Sequence, residues 1–306
     1  MSDVLKGKVA IVTGSGRGVG RAEALALAAQ GAKVVVNDLG GDPGGVGASK
    51  SPADEVVAEI KKAGGQAVAN YDSVADFKAT AHLIKTALDA FGRLDILVNN
   101  AGIIIDNPIW DMTEEEFDKV VAVHLKGTFN TCHHAVKVMR EQGSGRIINT
   151  ASNQWRNPEG HVNYSAAKGG IVSLTWGLAW ELQNTPITCN AIAPFADTRM
   201  HKTSAPRREE LVKAGLMRAQ RFEQVEDRPG PEFVAPMVVY LASDLASKIT
   251  GQIFRCGAGK IAVYSHPGEV KGIYKNFKKD GVWTIEELKD LVPGALMPGI
   301  KPWWGQ

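Results

Sequence analysis

Tyr164 and Lys168, in the stretch NTASNQWRNPEGHVNYSAAK at 149–168, stand one helical turn apart and so share a face of any helix formed there. A neutral phenol, with a reference pKa of about 10, is a poor base near neutrality. An ammonium beside it favours the phenolate, and the tyrosine can then move a proton to or from a substrate oxygen. Such a pair needs a third polar group to hold the substrate, and Ser152 and Ser165 both qualify by type. Ser165 follows Tyr164 directly, so on a helix it points about 100° away. Ser152 follows the apolar run RIINTA, and the carboxyl end of a strand is where α/β sheets bind ligands, so Ser152 is the expected partner.

A second group of residues has the types to hold a nucleotide. The run TGSGRGVG at 13–20 spaces Gly14, Gly18 and Gly20 as G-x-x-x-G-x-G, with Arg17 and Val19 between them. A strand turning tightly into a helix through bare backbone lets a pyrophosphate approach the positive helix N-terminus. The next apolar run, VVVND, ends at Asp38. A carboxylate there accepts hydrogen bonds from an adenosine ribose and repels a 2′-phosphate, which favours NAD over NADP. Arg17 could instead reach a 2′-phosphate, but charge repulsion at the ribose is the more direct effect. Asp72, ending QAVANYD, and Ser73 after it are expected beside the adenine.

The elements that must position these groups alternate along the chain. VAIVT, KVVVND, QAVANYD, LDILVNN, RIINTA and ITCNAIAP are short apolar runs separated by helical patterns, including a long one at 113–142 headed by a Thr113/Glu116 capping box. Strands that are apolar throughout and separated by helices indicate a parallel sheet covered on both faces, a doubly wound α/β Rossmann fold. GQIFRCGAG is expected to be the last strand, giving a dinucleotide-binding domain over residues 1–259. Residues 260–306 then form a C-terminal extension with one helix, TIEELKDL, capped by Thr284 and Glu287.

Composition narrows the class. Hydrophobic residues at 44% and charged residues at 22% are ordinary for a globular protein, and a net charge of +2 gives no field toward nucleic acid or anionic lipid. Cys132, Cys189 and Cys256 are far apart, with no C-x-x-C, so neither a disulfide framework nor a metal site is expected. The first residues do not read as a signal peptide, IVSLTWGLAW falls short of the roughly 20 residues a membrane span needs, and the chain ends WWGQ rather than in a peroxisomal Ser-Lys-Leu. A cytoplasmic location without membrane association is expected.

TGSGRGVG, the NNAG at 99–102 and YSAAK at 164–168, in this order, resemble the short-chain dehydrogenase/reductase family. Within it the stretches VVVNDLGGD, AVANYDSV, KTALDAFGR, VHLKG and NYSAAK, the insertion at 39–53 and the tail WTIEELKDL are similar to the (3R)-hydroxyacyl-CoA dehydrogenase domain of the peroxisomal multifunctional type 2 enzymes. The resemblance implies Tyr164 as acid/base, Lys168 lowering its pKa and binding the nicotinamide ribose, and Ser152 holding the substrate oxygen. It further implies Asn99, Ala101 and Gly102 along the cofactor cleft, and Pro194 and Thr198 at the carboxamide. Family members commonly place the serine one residue earlier, where this chain has Ala151; aligning the strand instead keeps Ser152 in the role and shortens the loop carrying Trp155 and His161. His124 stands where most relatives have an asparagine that helps position the lysine, and Phe195 where many have glycine.

The resemblance implies oxidation of a 3-hydroxyacyl-CoA to a 3-oxoacyl-CoA with NAD, by a homodimer or homotetramer built through the helices starting near Thr113 and Tyr164. A hydroxysteroid, or a steroid side chain linked to CoA, is the rival small-molecule substrate, and a non-catalytic NAD(H)-binding sensor is the rival class. Eight Lys or Arg against five acids at 199–228 could meet CoA phosphates, or simply form a solvated helical face. Trp155, Trp176, Trp180 and Phe195 could wall an apolar pocket or pack in the core.

Overall fold

The computed structural model describes residues 3–156, 161–199, 206, 209–215 and 229–300. Most of the basic segment at 199–228 therefore lies outside the described residues, as do residues 157–160 of the loop before Tyr164. The chain divides into two compact units, residues 1–264 and 265–306.

Unit one is built on an eight-stranded sheet in the order β3-β2-β1-β4-β5-β6-β7-β8. The strands are β1 Val9–Thr13, β2 Lys33–Asn37, β3 Gln66–Asn70, β4 Ile96–Asn99, β5 Gly145–Thr150, β6 Ile187–Pro194, β7 Ile253–Gly257 and β8 Lys260–Val263. The first seven are parallel, and β1 lies between β2 and β4, so the chain reverses its direction of travel across the sheet at that point. In doubly wound sheets that switch opens the ligand crevice.

The apolar runs are continuous because both faces are covered. Successive side chains of a strand point to opposite faces. Ala10 and Val12 of β1 join a core with α1 (Gly18–Ala29), α2 (Ser51–Lys62) and α7 (Ala235–Ala242). Val9 and Ile11 join the opposite core with α3 (Phe77–Phe91), α5 (Gly127–Gln142) and α6 (Val162–Glu181). The long helical pattern at 113–142 is α4 (Glu114–Val121) running into α5 through a π-helical turn at Ala122–Lys126, and Thr113 and Glu116 make the expected capping box.

The sheet extends one strand beyond the sequence expectation. β8 pairs antiparallel with β7 across the two-residue loop Ala258–Gly259, both residues at positive φ (51° and 71°). A tight hairpin needs that geometry, and Asn-Gly or Asp-Gly usually signals it; an alanine there hides it. β8 is an exposed edge strand, so it also lacks the apolar signature of its neighbours. Unit two contains the expected helix at Ile285–Leu291, with the Thr284/Glu287 capping box and Lys275 bonded to both Glu287 carboxylate oxygens at 2.8 Å. No helix among the described residues is long and apolar enough to cross a membrane.

Glu23 of α1 conflicts with its surroundings. It is fully buried, neither carboxylate oxygen has a hydrogen-bond partner among the described residues, and burial pushes its pKa up to about 8. Below the unfolded value of about 4.5 both folded and unfolded chains carry the neutral acid. Between 4.5 and 8 only the unfolded chain loses its proton, so this group lowers stability as pH rises, and above 8 the fold carries a buried, unpaired carboxylate. Glu23→Met is expected to raise the melting temperature at pH 8.5 by about 5 °C or more, with the gain shrinking toward pH 4.5, as scanning calorimetry across pH would show.

Candidate active site

A cavity of about 360 Å³ opens at the carboxyl ends of the parallel strands, around the switch between β1 and β4. Each strand from β1 to β6 hands its first loop residues to the wall: Gly14 after β1, Asp38 after β2, Asp72 after β3, Ala101 after β4, Ser152 after β5 and Ala196 after β6.

The nucleotide half follows from the first turn. Gly14 and Gly18 hold φ of +63° and +56° to turn β1 into α1, and with Arg17 and Val19 they line the cavity. Gly20 does not reach it. A Cβ there would come within 2.3 Å of Asn100 Nδ2 and 2.4 Å of the Gly14 oxygen, so its bareness lets α1 close onto the β1 and β4 ends. Asp38 accepts hydrogen bonds from the Gly16 and Gly40 amides, both at 2.7 Å, which fixes the carboxylate at the wall and leaves acceptor capacity facing inward. Asp72 lines the wall beside Ser73 and accepts from Asn70 Nδ2 at 2.7 Å, with His82 Nδ1 2.6 Å away.

The reacting half is held by α6. Tyr164 and Lys168 face the cavity from successive turns, with the Lys168 Nζ 5.5 Å from the Tyr164 ring centroid. Lys168 is 2% exposed and donates to the Thr150 carbonyl at 2.5 Å. Burial brings its pKa down to about 7 and pushes that of Tyr164 up to about 12, the latter opposed by a hydrogen bond with the Ser152 hydroxyl and reinforced by the negative charge of Asp106. Ser152 caps a short turn at Asn153–Trp155 and lines the cavity, whereas Ser165 bonds the Val162 carbonyl and does not.

His124 sits in the π-helical turn, fully buried, with its ring 5.1 Å from that of Tyr164 and nearly perpendicular. Burial and the neighbouring Lys168 charge hold its pKa near 3, so the imidazole is neutral. Its Nε2 lies 2.7 Å from the Ile103 carbonyl oxygen, the shorter of two contacts with that residue. The side chain thus ties the loop after β4 to the helix rather than bonding the lysine. A Cβ on Gly102 would come within 2.3 Å of the imidazole, which explains glycine at that position.

Asn99 is placed differently from its expected role. It ends β4 in register with Asn149, donates to Asn149 Oδ1 at 2.9 Å and accepts from Thr131 at 2.6 Å, inside the sheet and away from the cavity wall. Its neighbour Asn100 does the work at the crevice, donating to the Thr13 and Gly14 carbonyls at 3.0 Å. Strand alternation could have separated the two asparagines. Pro194 and Thr198 line the cavity, but Phe195 pairs its backbone with Cys256 and sets its ring 5.7 Å from the Arg255 guanidinium. Trp155 and Trp176 pack together with Trp155 against Tyr264, and Trp180 is exposed. His161 proves to be buried against Asp106, a residue no linear motif singles out. Leu39, Gly41 and Pro43 of the 39–53 insertion also line the wall, and Thr150 Oγ1 and Gln154 Oε1 are buried there without partners among the described residues.

The glycine loop, the anchored carboxylate after β2 and these polar atoms fit a nicotinamide dinucleotide at the strand ends, and Ser152, Tyr164 and Lys168 line the same cavity. Comparisons with known proteins agree. Mouse peroxisomal multifunctional enzyme type 2 is 47% identical over 286 residues, 93% of this chain but 36% of that protein, so the chain spans little more than a third of that relative. A 3-oxoacyl-[acyl-carrier-protein] reductase of Synechocystis is 42% identical over 84% of this chain and 98% of its own. The crystal structure of a short chain dehydrogenase from Mycobacterium avium superposes with a TM-score of 0.79 at 42% identity, covering 96% of this chain and 95% of that one. With the short chain dehydrogenase family model matching residues 8–209 as well, the chain belongs to that family and is an oxidoreductase of the alcohol dehydrogenase type.

Proposed function

We propose that the chain interconverts a (3R)-hydroxyacyl-CoA and a 3-oxoacyl-CoA with NAD, using Tyr164 as the acid/base. The observation that carries this is the convergence of Ser152, Tyr164 and a desolvated Lys168 on one wall of the cavity. A bound nicotinamide would supply hydride acceptance or donation at the carbinol carbon. Tyr164 exchanges a proton with the substrate oxygen, and Ser152 holds that oxygen by its hydroxyl. A phenol with a pKa near 12 is a ready donor to a developing alkoxide, and in the oxidative direction the Lys168 ammonium stabilises the phenolate the tyrosine must become. The acyl thioester is supported by the relatives, whose names cover CoA-linked and carrier-protein-linked 3-oxoacyl chemistry.

NAD rather than NADP is supported by Asp38, whose carboxylate is pinned at the ribose end by two backbone amides. A homodimer or homotetramer through α4, α5 and α6 is supported by the apolar side chains these helices expose, Phe117, Phe129 and Trp180.

Absorbance at 340 nm with 3-oxodecanoyl-CoA, the same acyl group on carrier protein and a ketosteroid, each with NADH and NADPH, tests the reading. The expected result is turnover of the CoA ester with NADH, and no turnover of any CoA ester would overturn it. Tyr164→Phe is expected to lower kcat at least about 10³-fold. Asp38→Asn is expected to cut the preference for NADH over NADPH about tenfold or more, measured as the ratio of kcat/KM values.

Lys168→Met separates function from stability. Below pH 7 the folded chain must hold a buried ammonium, and above the unfolded value of 10.5 neither state carries the charge, so the penalty fades as pH rises from about 7 to 10.5. The variant is expected to lose nearly all turnover yet melt several degrees higher than the parent at pH 6.5, with the difference closing by pH 10.5.

A further inference from the structure

The group nearest the reactive end that this mechanism leaves unused is a buried pair. His161 stands at the N-terminal boundary of α6, three residues before Tyr164, and Asp106 arrives from the loop after β4. Nδ1 of His161 and Oδ1 of Asp106 are in direct contact, with side-chain exposures of 1% and 7%. Neither atom, nor His161 Nε2, has a hydrogen-bond partner among the described residues. The imidazole lies 6.4 Å from the Tyr164 ring at 73°. Asn163, between the two on α6, donates to the Ile105 carbonyl at 3.1 Å and holds the Asp106 loop against the helix.

A carboxylate this deep, its Oδ1 without a donor among the described residues, needs a compensating cation, and removing one partner of such a pair leaves an uncompensated buried charge. Its field falls on the phenol, whose other polar and titratable neighbours are Ser152 at the end of β5, Lys168 on the same helix and the neutral His124 on the π-helical turn. Among the described residues, Asp106 and Tyr164 stand around His161 itself. The geometry points to His161 as a positioning residue of the reaction: it holds a proton against Asp106, keeps the pair neutral, and so masks the carboxylate from the Tyr164 phenolate that forms during oxidation of the alcohol. Asp106 raises the pKa of Tyr164, which is the sign the mask must oppose. This inference rests on Tyr164 being the acid/base.

The test is the pH dependence of kcat/KM for oxidation of (3R)-hydroxydecanoyl-CoA by NAD. The acid limb of that profile reports deprotonation of the base in the free enzyme. In His161→Gln the bare Asp106 is expected to move the limb upward by about one pH unit and to cut kcat/KM at pH 7 about tenfold. In Asp106→Asn/His161→Gln, with neither charge, the limb is expected to return to within about 0.3 unit of the parent, inside the scatter of ordinary limb fits. A purely structural role predicts the reverse order, with the double variant most damaged and the limb unmoved; that order, or an unshifted limb in His161→Gln, overturns the inference. Should His161→Gln fail to fold by far-ultraviolet circular dichroism, ¹³C NMR of the histidine-labelled parent decides. The His161 ring, assigned through its Overhauser contacts to Tyr164, is expected to show imidazolium shifts at pH 7, and neutral-imidazole shifts overturn the inference. Tyr164→Phe, measured alongside, keeps the two readings apart: if it retains turnover the acid/base assignment itself falls, and if it is inactive while the limb stays put only the His161 role does.

Discussion

The whole arrangement depends on one amine held out of water. Lys168 is nearly inaccessible, and its one strong contact among the described residues is the carbonyl of Thr150, the last residue of β5. That contact ties α6 to the carboxyl end of a strand in the middle of the sheet. An ammonium in such a place is expensive, and the fold tolerates it because the sheet, the π-helical turn and α6 over-determine its position. Strained or poorly solvated groups persist in folded proteins where the surroundings leave them no alternative, and they cluster where chemistry happens.

Around this amine the other polar groups are also driven toward their neutral forms. Tyr164 is pushed up, Lys168 down and His124 far down, all chiefly by burial. A neutral phenol beside an amine that titrates near neutrality can exchange a proton without either group passing through an isolated buried charge. The same dryness makes any uncompensated carboxylate nearby costly to catalysis, because its field acts at low dielectric. Asp106 is therefore a hazard unless its charge is balanced locally, and among the described residues the histidine at the boundary of α6 is in contact to do so.

The features legible in the linear sequence were those set by local periodicity. Buried parallel strands must be apolar on both faces, so β1 to β7 announce themselves, and the capping boxes at Thr113 and Thr284 read directly because they depend on side chains three residues apart. Ser152 was separable from Ser165 by the same local geometry. What could not be read depends on pairing between distant segments. β8 needs β7 and an alanine in the left-handed region, Asn99 and Asn100 divide their roles only once β4 is registered against β5, and the partner of His161 lies 55 positions away at Asp106. The π-helical turn is of the same kind: VAVHLKG fits an α-helix locally, and the wider turn is where His124 meets the Ile103 backbone.

At the opposite end of the cavity the electrostatic logic is reversed. Asp38 lines the wall with its neighbour Asp42 close by, and Arg17 and Arg199 line the same space. Arg199 has its pKa lowered, first by burial and then by repulsion from Arg17, against the attraction of Asp38 and Asp42. Here charges are partly solvated and offset one another, so no single residue carries the field. Under the proposed reading, two guanidinium groups near a pyrophosphate and two carboxylates near a ribose divide one ligand between them. Selectivity between the two nicotinamide cofactors then turns on which sign lies nearer the 2′ position. The two amides that pin Asp38, from Gly16 and Gly40, fix the negative charge at the wall before any ligand arrives, whereas among the described residues no backbone group pins either arginine in the same way. A preorganised charge loses less conformational freedom on binding than a side chain that must swing into place, and on the proposed reading this favours the carboxylate over Arg17 in the choice.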